Sequence, residues 1–330
     1  MIYMFILILL TTLLLTVIAL KKLIPYLKHK KIGQKILDIG PNWHKTKEGT
    51  PTMGGVAFIF ASLVSAILFV IVFYDRLDNG DFLWIINVFG FGVLNALIGL
   101  IDDLAKMKKS KNEGLTPKMK FLFQSIVAIL FLISLSVTLG IDTDLLLPFF
   151  NRRIEIGIIF YPVSFLLLCG IVNSVNLTDG IDGLAGSVTL TVGIFTSFLA
   201  LRVENEILIL IGATLVGSML GFLAFNMYPA KVFMGDTGSL FLGAIIVSIA
   251  FVIDNPLLVL IYGFVYVIEA ASDIMQVAYY KLSHGKRIFK MAPLHHHFEK
   301  NGYSEMKIVA IFSIVNFAFC ILALLGIGNL

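Results

Sequence analysis

Ten apolar stretches, each about as long as a membrane span, dominate this sequence. They fall at about 2–20, 53–73, 82–101, 121–139, 156–177, 184–200, 207–224, 237–253, 257–280 and 307–327. A helix needs about 20 apolar residues to cross a bilayer, and its backbone groups must be hydrogen-bonded internally there. Only 14% of the 330 residues are charged, whereas soluble domains carry about 25%. The sequence therefore predicts an all-α polytopic integral membrane protein with about ten transmembrane helices.

Basic residues are distributed unequally between the connectors of these stretches. The odd-numbered connectors are rich in lysine, above all at 21–47, 106–120 and 281–300, whereas the even-numbered connectors hold four basic residues. Cytoplasmic connectors carry the excess of Lys and Arg in membrane proteins. We therefore expect the odd connectors in the cytoplasm and both termini outside it. This placement accounts for the net charge of +4 without a nucleic-acid partner. No repeat or linker divides the chain, so residues 1–330 are predicted to form a single transmembrane domain.

The first polar motif, GLIDDLAKMKKSKNEGLTPKMKF at 99–121, lies where the third stretch ends. If the helix continues, Lys106 is three and four residues from Asp103 and Asp102 and can contact either acid. Adjacent side chains point about 100° apart on a helix, so one acid can hold a cation while the other takes a proton or orients its partner. One acid would be explained best by a helix-end ion pair. Two acids beside six lysines favour a site for an anion and a metal ion.

Polar side chains recur every third residue in the second motif, NSVNLTDGIDGLAGS at 173–187. They are Asn173, Asn176, Asp179 and Asp182. At this spacing they would line one side of a helical turn, and glycines such as Gly183 permit a close approach of the backbone. A helix cap could explain one of these residues. It does not explain four.

The third motif, FNMYPAKVFMGDTGSLFLG at 225–243, places Asp236 at the start of the eighth stretch. An aspartate there is an ordinary helix cap. A helix N-terminus also attracts phosphate, and a carboxylate beside it can hold Mg²⁺ that bridges to the phosphate. Phe233 offers a flat face for a base, and Asn226 could bind the polar edges of a ring.

Two further motifs lie in odd connectors. HKTKEGTPTMGG at 44–55 provides Lys47 and Thr52 as contacts for a phosphate or a sugar. MAPLHHHFEKNG at 291–302 contains three consecutive histidines, a pattern that often indicates a transition metal. However, three consecutive side chains diverge, and no cysteine is near. The motif is therefore interpreted as a group of hydrogen-bond donors to a substrate.

Glu269 and Asp273 are charged residues inside the ninth apolar stretch. An acid within a membrane span is a functional candidate by default, although Asp273, near the cytoplasmic end, could simply face a polar cavity. The other five motifs all fall at the cytoplasmic ends of the stretches. Carboxylates combined with lysines suit Mg²⁺ and phosphate oxygens rather than soft metals. The residues therefore predict a Mg²⁺-dependent enzyme that handles phosphates at the cytoplasmic face of the membrane.

Taken in order, GTPTMGG, IDDLAK, NLTDGIDGLAG, NMYPAKVFMGDTGSL and MAPLHHHFE resemble the polyprenyl-phosphate N-acetylhexosamine-1-phosphate transferase superfamily over nearly the whole chain. The full histidine triplet resembles the branch whose donor is UDP-MurNAc-pentapeptide. The resemblance implies transfer of phospho-MurNAc-pentapeptide to undecaprenyl phosphate, which gives lipid I and UMP in peptidoglycan synthesis. It also implies a location in the bacterial inner membrane, a cytoplasmic active-site cleft and a homodimer.

The resemblance also implies a role for each motif residue. Asp236 would bind Mg²⁺, and Asp102 and Asp103 would be the catalytic pair, with Asp102 as the proton acceptor. Lys106 and Lys118 would hold phosphates. The expected donor contacts are Lys47, Thr52, Asn173, Asn176, Asp179, Asp182, Gly183, Asn226, Phe233, His295, His296 and His297.

Three other classes of protein are alternatives to this one. A sister-branch enzyme would transfer a phosphosugar from a UDP-N-acetylhexosamine to a polyprenyl phosphate. An intramembrane prenyltransferase usually has an acid four positions after the first aspartate of its motif, where this chain has Lys106. A secondary transporter binds its substrate near the membrane midplane, whereas these carboxylates cluster at helix ends.

Overall fold

The computed structural model describes residues 1–30, 33, 47–108, 114–150 and 152–327. Within these ranges, nine helices are long and apolar enough to cross a membrane, and one bent helix pair supplies a tenth span if it is counted as one. The prediction of an all-α polytopic protein with about ten membrane helices is confirmed. Five lysines that support the predicted orientation lie outside the described residues: Lys31, Lys35, Lys45, Lys109 and Lys111.

The described residues form twelve α-helices and one antiparallel β-hairpin. In chain order they are α1 (Ile2–His29), α2 (Gly55–Phe73), α3 (Asn79–Lys108), α4 (Pro117–Thr138), β1 (Asp144–Leu147), β2 (Arg152–Glu155), α5 (Phe160–Thr178), α6 (Leu184–Val203), α7 (Glu206–Asn226), α8 (Gly235–Val252), α9 (Val259–Tyr262), α10 (Phe264–Leu282), α11 (Leu294–Glu299) and α12 (Glu305–Gly326). The hairpin pairs Asp144 with Glu155. It lies in the connector between α4 and α5, where the sequence analysis predicts no strand.

Helices α7 and α8 form the interior of the bundle. Every residue of α8 from Thr237 to Phe251 is buried, and α8 packs mainly against α3 and α5. Helix α7 packs against α1 and α6. Gly217 and Gly221 of α7 lie directly against α1, since an added Cβ at Gly221 would be 2.9 Å from Thr16 Cβ. Small residues four apart allow membrane helices to approach closely where lipid provides no hydrophobic driving force.

Two glycines allow the start of α8 to fit between α2 and α3. A Cβ added to Gly99 of α3 would clash with the backbone of Asp236 and Thr237, and one added to Gly55 of α2 would clash with Gly238. Because Gly99 precedes the Asp102–Asp103 pair by one helical turn, this contact places that pair beside the first turn of α8.

The ninth apolar stretch is a broken span rather than one straight helix. The segment Pro256–Tyr262 meets α10 at an angle of 85°, and the break falls at Gly263. Asn316 of α12 hydrogen-bonds the backbone on both sides of the break. Its Oδ1 accepts from Val265 N at 3.2 Å, and its Nδ2 donates to Tyr262 O at 3.1 Å. Broken helices are tolerated in membranes where such partners satisfy the freed backbone groups.

Replacing Asn316 with Leu should lower the free energy of unfolding by about 1–3 kcal/mol, because the buried Val265 N–H loses its partner and the Tyr262 carbonyl loses its contact with Nδ2. Thermal or denaturant unfolding of the detergent-solubilised protein measures this loss. Ser313→Ala is the matched control on the same helix, since the buried Ser313 Oγ has no hydrogen-bond partner among the described residues. Equal stability of the two variants would contradict the role assigned to Asn316.

Candidate active site

The charged residues predicted at helix ends meet around Asp236, the second residue of α8. Lys106 Nζ donates to Asp236 Oδ2 at 2.8 Å and lies 2.8 Å from Asp102 Oδ2. Lys120 Nζ donates to the same Asp236 oxygen at 2.9 Å. Two ammonium groups therefore compensate carboxylate charge where α3, α4 and α8 come together. We call this group the Asp236 cluster; it comprises Asp102, Asp103, Lys106, Lys120, Asn176 and Asp236.

Asn176 connects the Asp236 cluster to the end of α5. Its Nδ2 donates to Asp236 Oδ1 at 2.9 Å and to Ser239 Oγ at 2.7 Å. Its Oδ1 accepts from Lys120 Nζ at 3.2 Å. Both carboxylate oxygens of Asp236 thus accept hydrogen bonds, and the orientation of the group is fixed by three different helices.

The two adjacent aspartates of α3 have different partners. Asp103 accepts hydrogen bonds from the backbone N–H groups of Asp236 and Thr237, at 3.2 and 3.0 Å, and from the Thr237 hydroxyl at 2.7 Å. It therefore satisfies the free N–H groups at the start of α8. Asp102 Oδ1 accepts from Leu115 N at 2.6 Å, and its Oδ2 pairs with Lys106. The two acids therefore have different partners, while their catalytic role stays a prediction.

Lys118 and Lys120 lie on different sides of the first turns of α4. The side chain of Lys120 reaches Asp236 and Asn176, whereas Lys118 is exposed and makes no contact with the Asp236 cluster. Residues two apart on a helix do not face the same way. The sequence analysis predicts Lys118 as a phosphate contact and does not name Lys120. Which of the two lysines points inward depends on where α4 begins, and it begins at Pro117.

A second charged group surrounds Lys47. Its Nζ donates to Asp182 Oδ1 at 2.7 Å and to Glu305 Oε2 at 2.6 Å. Asp182 also accepts from Ala230 N at 2.8 Å, and its own N–H donates to Glu305 at 3.0 Å. Lys47 and Asp182 were predicted site residues. Glu305 was not, since its only sequence signal is an acid in the first turn of α12.

Asn226 shapes the loop that carries Phe233. Its Oδ1 accepts from Gly183 N at 3.1 Å, and its Nδ2 donates to Val232 O at 2.8 Å. Gly183 has φ +79°, a conformation that favours glycine. Because Asn226 is buried and bonded to the backbone on both sides, it supports the partly exposed Phe233 ring.

Thr52 and Asn173 lie at the margins of the site. A Cβ added to Gly235 would lie 3.0 Å from Thr52 Oγ1, which places this hydroxyl beside the first residue of α8. Asn173 lies one turn before Asn176 on α5. Its Nδ2 donates to Gln124 Oε1 at 2.9 Å and thereby joins α5 to α4.

The three histidines have three different partners. His295 is buried, and its Nδ1 lies 2.9 Å from Glu269 Oε2. His296 Nδ1 lies 2.6 Å from Glu299 Oε2. His297 Nδ1 accepts a hydrogen bond from Lys290 N at 3.1 Å. The prediction that the three side chains diverge is wrong for His295 and His296, whose ring centroids lie 4.2 Å apart. Glu269 belongs to this group through its contact with His295.

Asp179 follows α5 and adds a further carboxylate to the region. Burial, together with the charges of Asp236, Asp103 and Asp182, raises the pKa of Asp179 well above its ordinary value. No group of three or more His, Cys, Asp or Glu side chains within the described ranges forms a metal site. Mg²⁺ is commonly bound by only one or two protein carboxylates together with substrate phosphates and water. An excess of negative charge on hard oxygen atoms fits such an ion.

The fold and the charged site belong to a known class of membrane enzyme, the glycosyl transferases of family 4. Residues 85–254 match the model of glycosyl transferase family 4, a range that contains α4 to α8, most of α3 and every member of the Asp236 cluster. Residues 47–59 match phospho-N-acetylmuramoyl-pentapeptide-transferase signature 1, which begins at Lys47 and includes Thr52.

Curated relatives define the family more closely. The phospho-N-acetylmuramoyl-pentapeptide-transferase of Clostridium acetobutylicum is 45% identical over 92% of this chain and 93% of its own length. That of Caldicellulosiruptor bescii is 43% identical over 94% of this chain and 93% of its own length. That of Clostridium perfringens strain SM101 is 42% identical over 91% of this chain and 90% of its own length. The chain belongs to the phospho-N-acetylmuramoyl-pentapeptide-transferase family.

Lys120→Ala should lower the transferase rate by about 10²-fold, because it removes a positive charge that contacts Asp236. Lys118→Ala is the matched control on the same helical turn and should change the rate by no more than about twofold. Initial rates of the two purified variants measure the difference. Equal losses, or a larger loss for Lys118→Ala, would show that Lys118 is the functional lysine.

Proposed function

We propose that this chain transfers phospho-MurNAc-pentapeptide from UDP-MurNAc-pentapeptide to undecaprenyl phosphate, which gives lipid I and UMP. The observation that carries the proposal is the Asp236 cluster, in which carboxylates and ammonium groups meet at the ends of membrane helices. The family of the chain and the printed names of its relatives support the same reaction. In bacteria it would be the first membrane step of peptidoglycan synthesis.

The transfer exchanges one diphosphate (phosphoanhydride) bond for another. An oxygen of the lipid phosphate forms a bond to the phosphorus that carries MurNAc, the diphosphate bond breaks, and UMP leaves with the bonding electrons. Lys106 and Lys120 would bind phosphate oxygens and stabilise the charge that develops on the leaving group. Both already share the Asp236 carboxylate, so the phosphate would enter a site whose cations are in place.

Asp236 would hold Mg²⁺. When bound, this ion would neutralise the diphosphate and favour departure of UMP. Asp103 would act as a positioning residue, because it holds the start of α8 through three hydrogen bonds.

We propose direct attack by the lipid phosphate without a covalent aspartyl-phosphate intermediate. The second pKa of a phosphate monoester is about 6, so the acceptor is largely ionised at neutral pH and needs little help from a base. Both oxygens of Asp102 are engaged, by Leu115 N and by Lys106. Its main contribution would be to hold Lys106, and it would take a proton only from an acceptor that arrives protonated.

The nucleotide end of the donor would bind beside the Asp236 cluster. Phe233 would stack on uracil, while Lys47, Thr52, Asn176 and Asp179 would line the sugar region. The buried contacts of Asn226 and Gly183 support the loop next to Phe233. His296 and His297 would contact the sugar, lactyl or diphosphate oxygens of the donor. Asn173 would also contact the donor, because it lies one turn from Asn176 on α5.

We further propose that the site faces the cytoplasm in the bacterial inner membrane and that the protein is a homodimer. The orientation is supported by the lysine-rich connectors, since positively charged connectors remain on the cytoplasmic side.

The decisive assay follows UMP release from UDP-MurNAc-pentapeptide in the presence of Mg²⁺ and undecaprenyl phosphate. The wild-type protein should release UMP, whereas Asp236→Asn, which keeps the shape but loses the charge, should be slower by about 10²–10³-fold and respond weakly to Mg²⁺. A near-normal rate in Asp236→Asn would refute the role of Asp236. Release from UDP-N-acetylglucosamine, with none from UDP-MurNAc-pentapeptide, would place the activity in the sister branch.

A further inference from the structure

Glu269 is a fully buried acid of the ninth span for which the proposed reaction provides no role. Its side chain is 0% exposed, and that of His295 is 1% exposed. Oε1 of Glu269 accepts from His295 N at 3.1 Å, and Oε2 lies 2.9 Å from His295 Nδ1. A buried carboxylate strongly destabilises a protein unless it is paired and hydrogen-bonded. The two residues therefore hold each other in one arrangement.

The opposite edge of the His295 ring rests on Gly180. His295 Nε2 is buried without a hydrogen-bond partner among the described residues. A Cβ added to Gly180 would clash with Nε2 and lie 2.7 Å from Cε1. Gly180 does not have a positive φ, so its backbone conformation does not require glycine. The position is occupied by glycine because the imidazole ring fills the space of a side chain.

Gly180 lies in segment 179–182, which forms most of the short connector between α5 and α6 and brings two carboxylates to the site. Asp182, two residues later, holds Lys47 at 2.7 Å and the backbone of Ala230 at 2.8 Å. Asp179, one residue earlier, is the other acid of this segment, and the charge of Asp236 contributes to its raised pKa. Gly180 thus shares one short stretch of backbone with both acids.

We propose that Glu269 is a positioning residue: it holds the His295 ring against Gly180 and thereby sets the position of segment 179–182 relative to Lys47 and Asp236. This inference rests on the proposed function and deepens it. It divides the histidine triplet, because His295 supports the donor site from behind while His296 and His297 remain the expected donor contacts. The acid inside the ninth span thus acts on the donor without touching it.

Glu269→Ala and Gly180→Ala test the two ends of this contact. Each should raise the KM for UDP-MurNAc-pentapeptide by roughly tenfold, because small displacements of binding groups are costly. The kcat and the KM for undecaprenyl phosphate should stay within about threefold of the wild-type values. Gly170→Ala is the matched control, since an added Cβ at Gly170 meets nothing within 4 Å. A purely structural defect would instead lower kcat through loss of active protein.

The double variant separates a shared contact from two independent effects. In the double variant Glu269 no longer holds the imidazole ring, so the ring can move away from the methyl group that Gly180→Ala introduces. The KM of the double variant should therefore not exceed that of the worse single variant. Multiplied KM effects, or an unchanged KM in both single variants, would overturn the proposal. Gly180→Ala leaves both Glu269 and His295 in the chain and decides the matter alone if Glu269→Ala does not fold.

Hydrogen–deuterium exchange of the peptide 177–184 provides a readout that does not depend on turnover. Glu269→Ala should accelerate exchange of these amides by roughly tenfold relative to the wild type and to Gly170→Ala, because the segment loses its support. Equal exchange in all three proteins would overturn the positioning role. Absence of UMP release by the wild type would refute the proposed function, and the exchange measurement would still decide this inference.

Discussion

Asp236 Oδ2 accepts hydrogen bonds from two ammonium groups, Lys106 Nζ at 2.8 Å and Lys120 Nζ at 2.9 Å, and these contacts join three helix ends. Charges at the edge of an apolar bundle must be paired because their desolvation is costly. The helix ends that carry these charges therefore lie beside one another. A phosphate that enters this region would replace carboxylate oxygens around the same ammonium groups and would bind without large rearrangement of the protein.

Helix packing makes this ionic contact possible. Gly99 and Gly55 let α3 and α2 approach the first turn of α8 more closely than any side chain would allow. One turn beyond Gly99, Asp103 binds the start of α8 and Asp102 binds Lys106. Neighbouring acids of one motif thus do different work: one fixes the backbone that presents Asp236, and the other orients a cation.

The sequence predicts the number of spans well because apolar length is a local property, and it finds the motifs because charged residues are rare in such a chain. It does not resolve Lys118 from Lys120, since the facing residue depends on where α4 begins. Glu305 looks like an ordinary acid in the first turn of a helix, because its partners Lys47 and Asp182 lie more than 100 residues away along the chain. The break at Gly263 is equally hidden: Asn316, which satisfies the broken backbone, is supplied by a distant helix.

The central claim is that Asp236 and its lysines act as one unit. A double-mutant cycle on UMP release tests it most directly, with Asp236→Asn and Lys106→Ala made singly and together. A single unit predicts that Lys106→Ala costs much less in the Asp236→Asn background than in the wild type, because neutralising the carboxylate already disturbs the ammonium that it positions. Multiplied losses in the double variant would contradict the claim, since they would show that the two residues contribute independently.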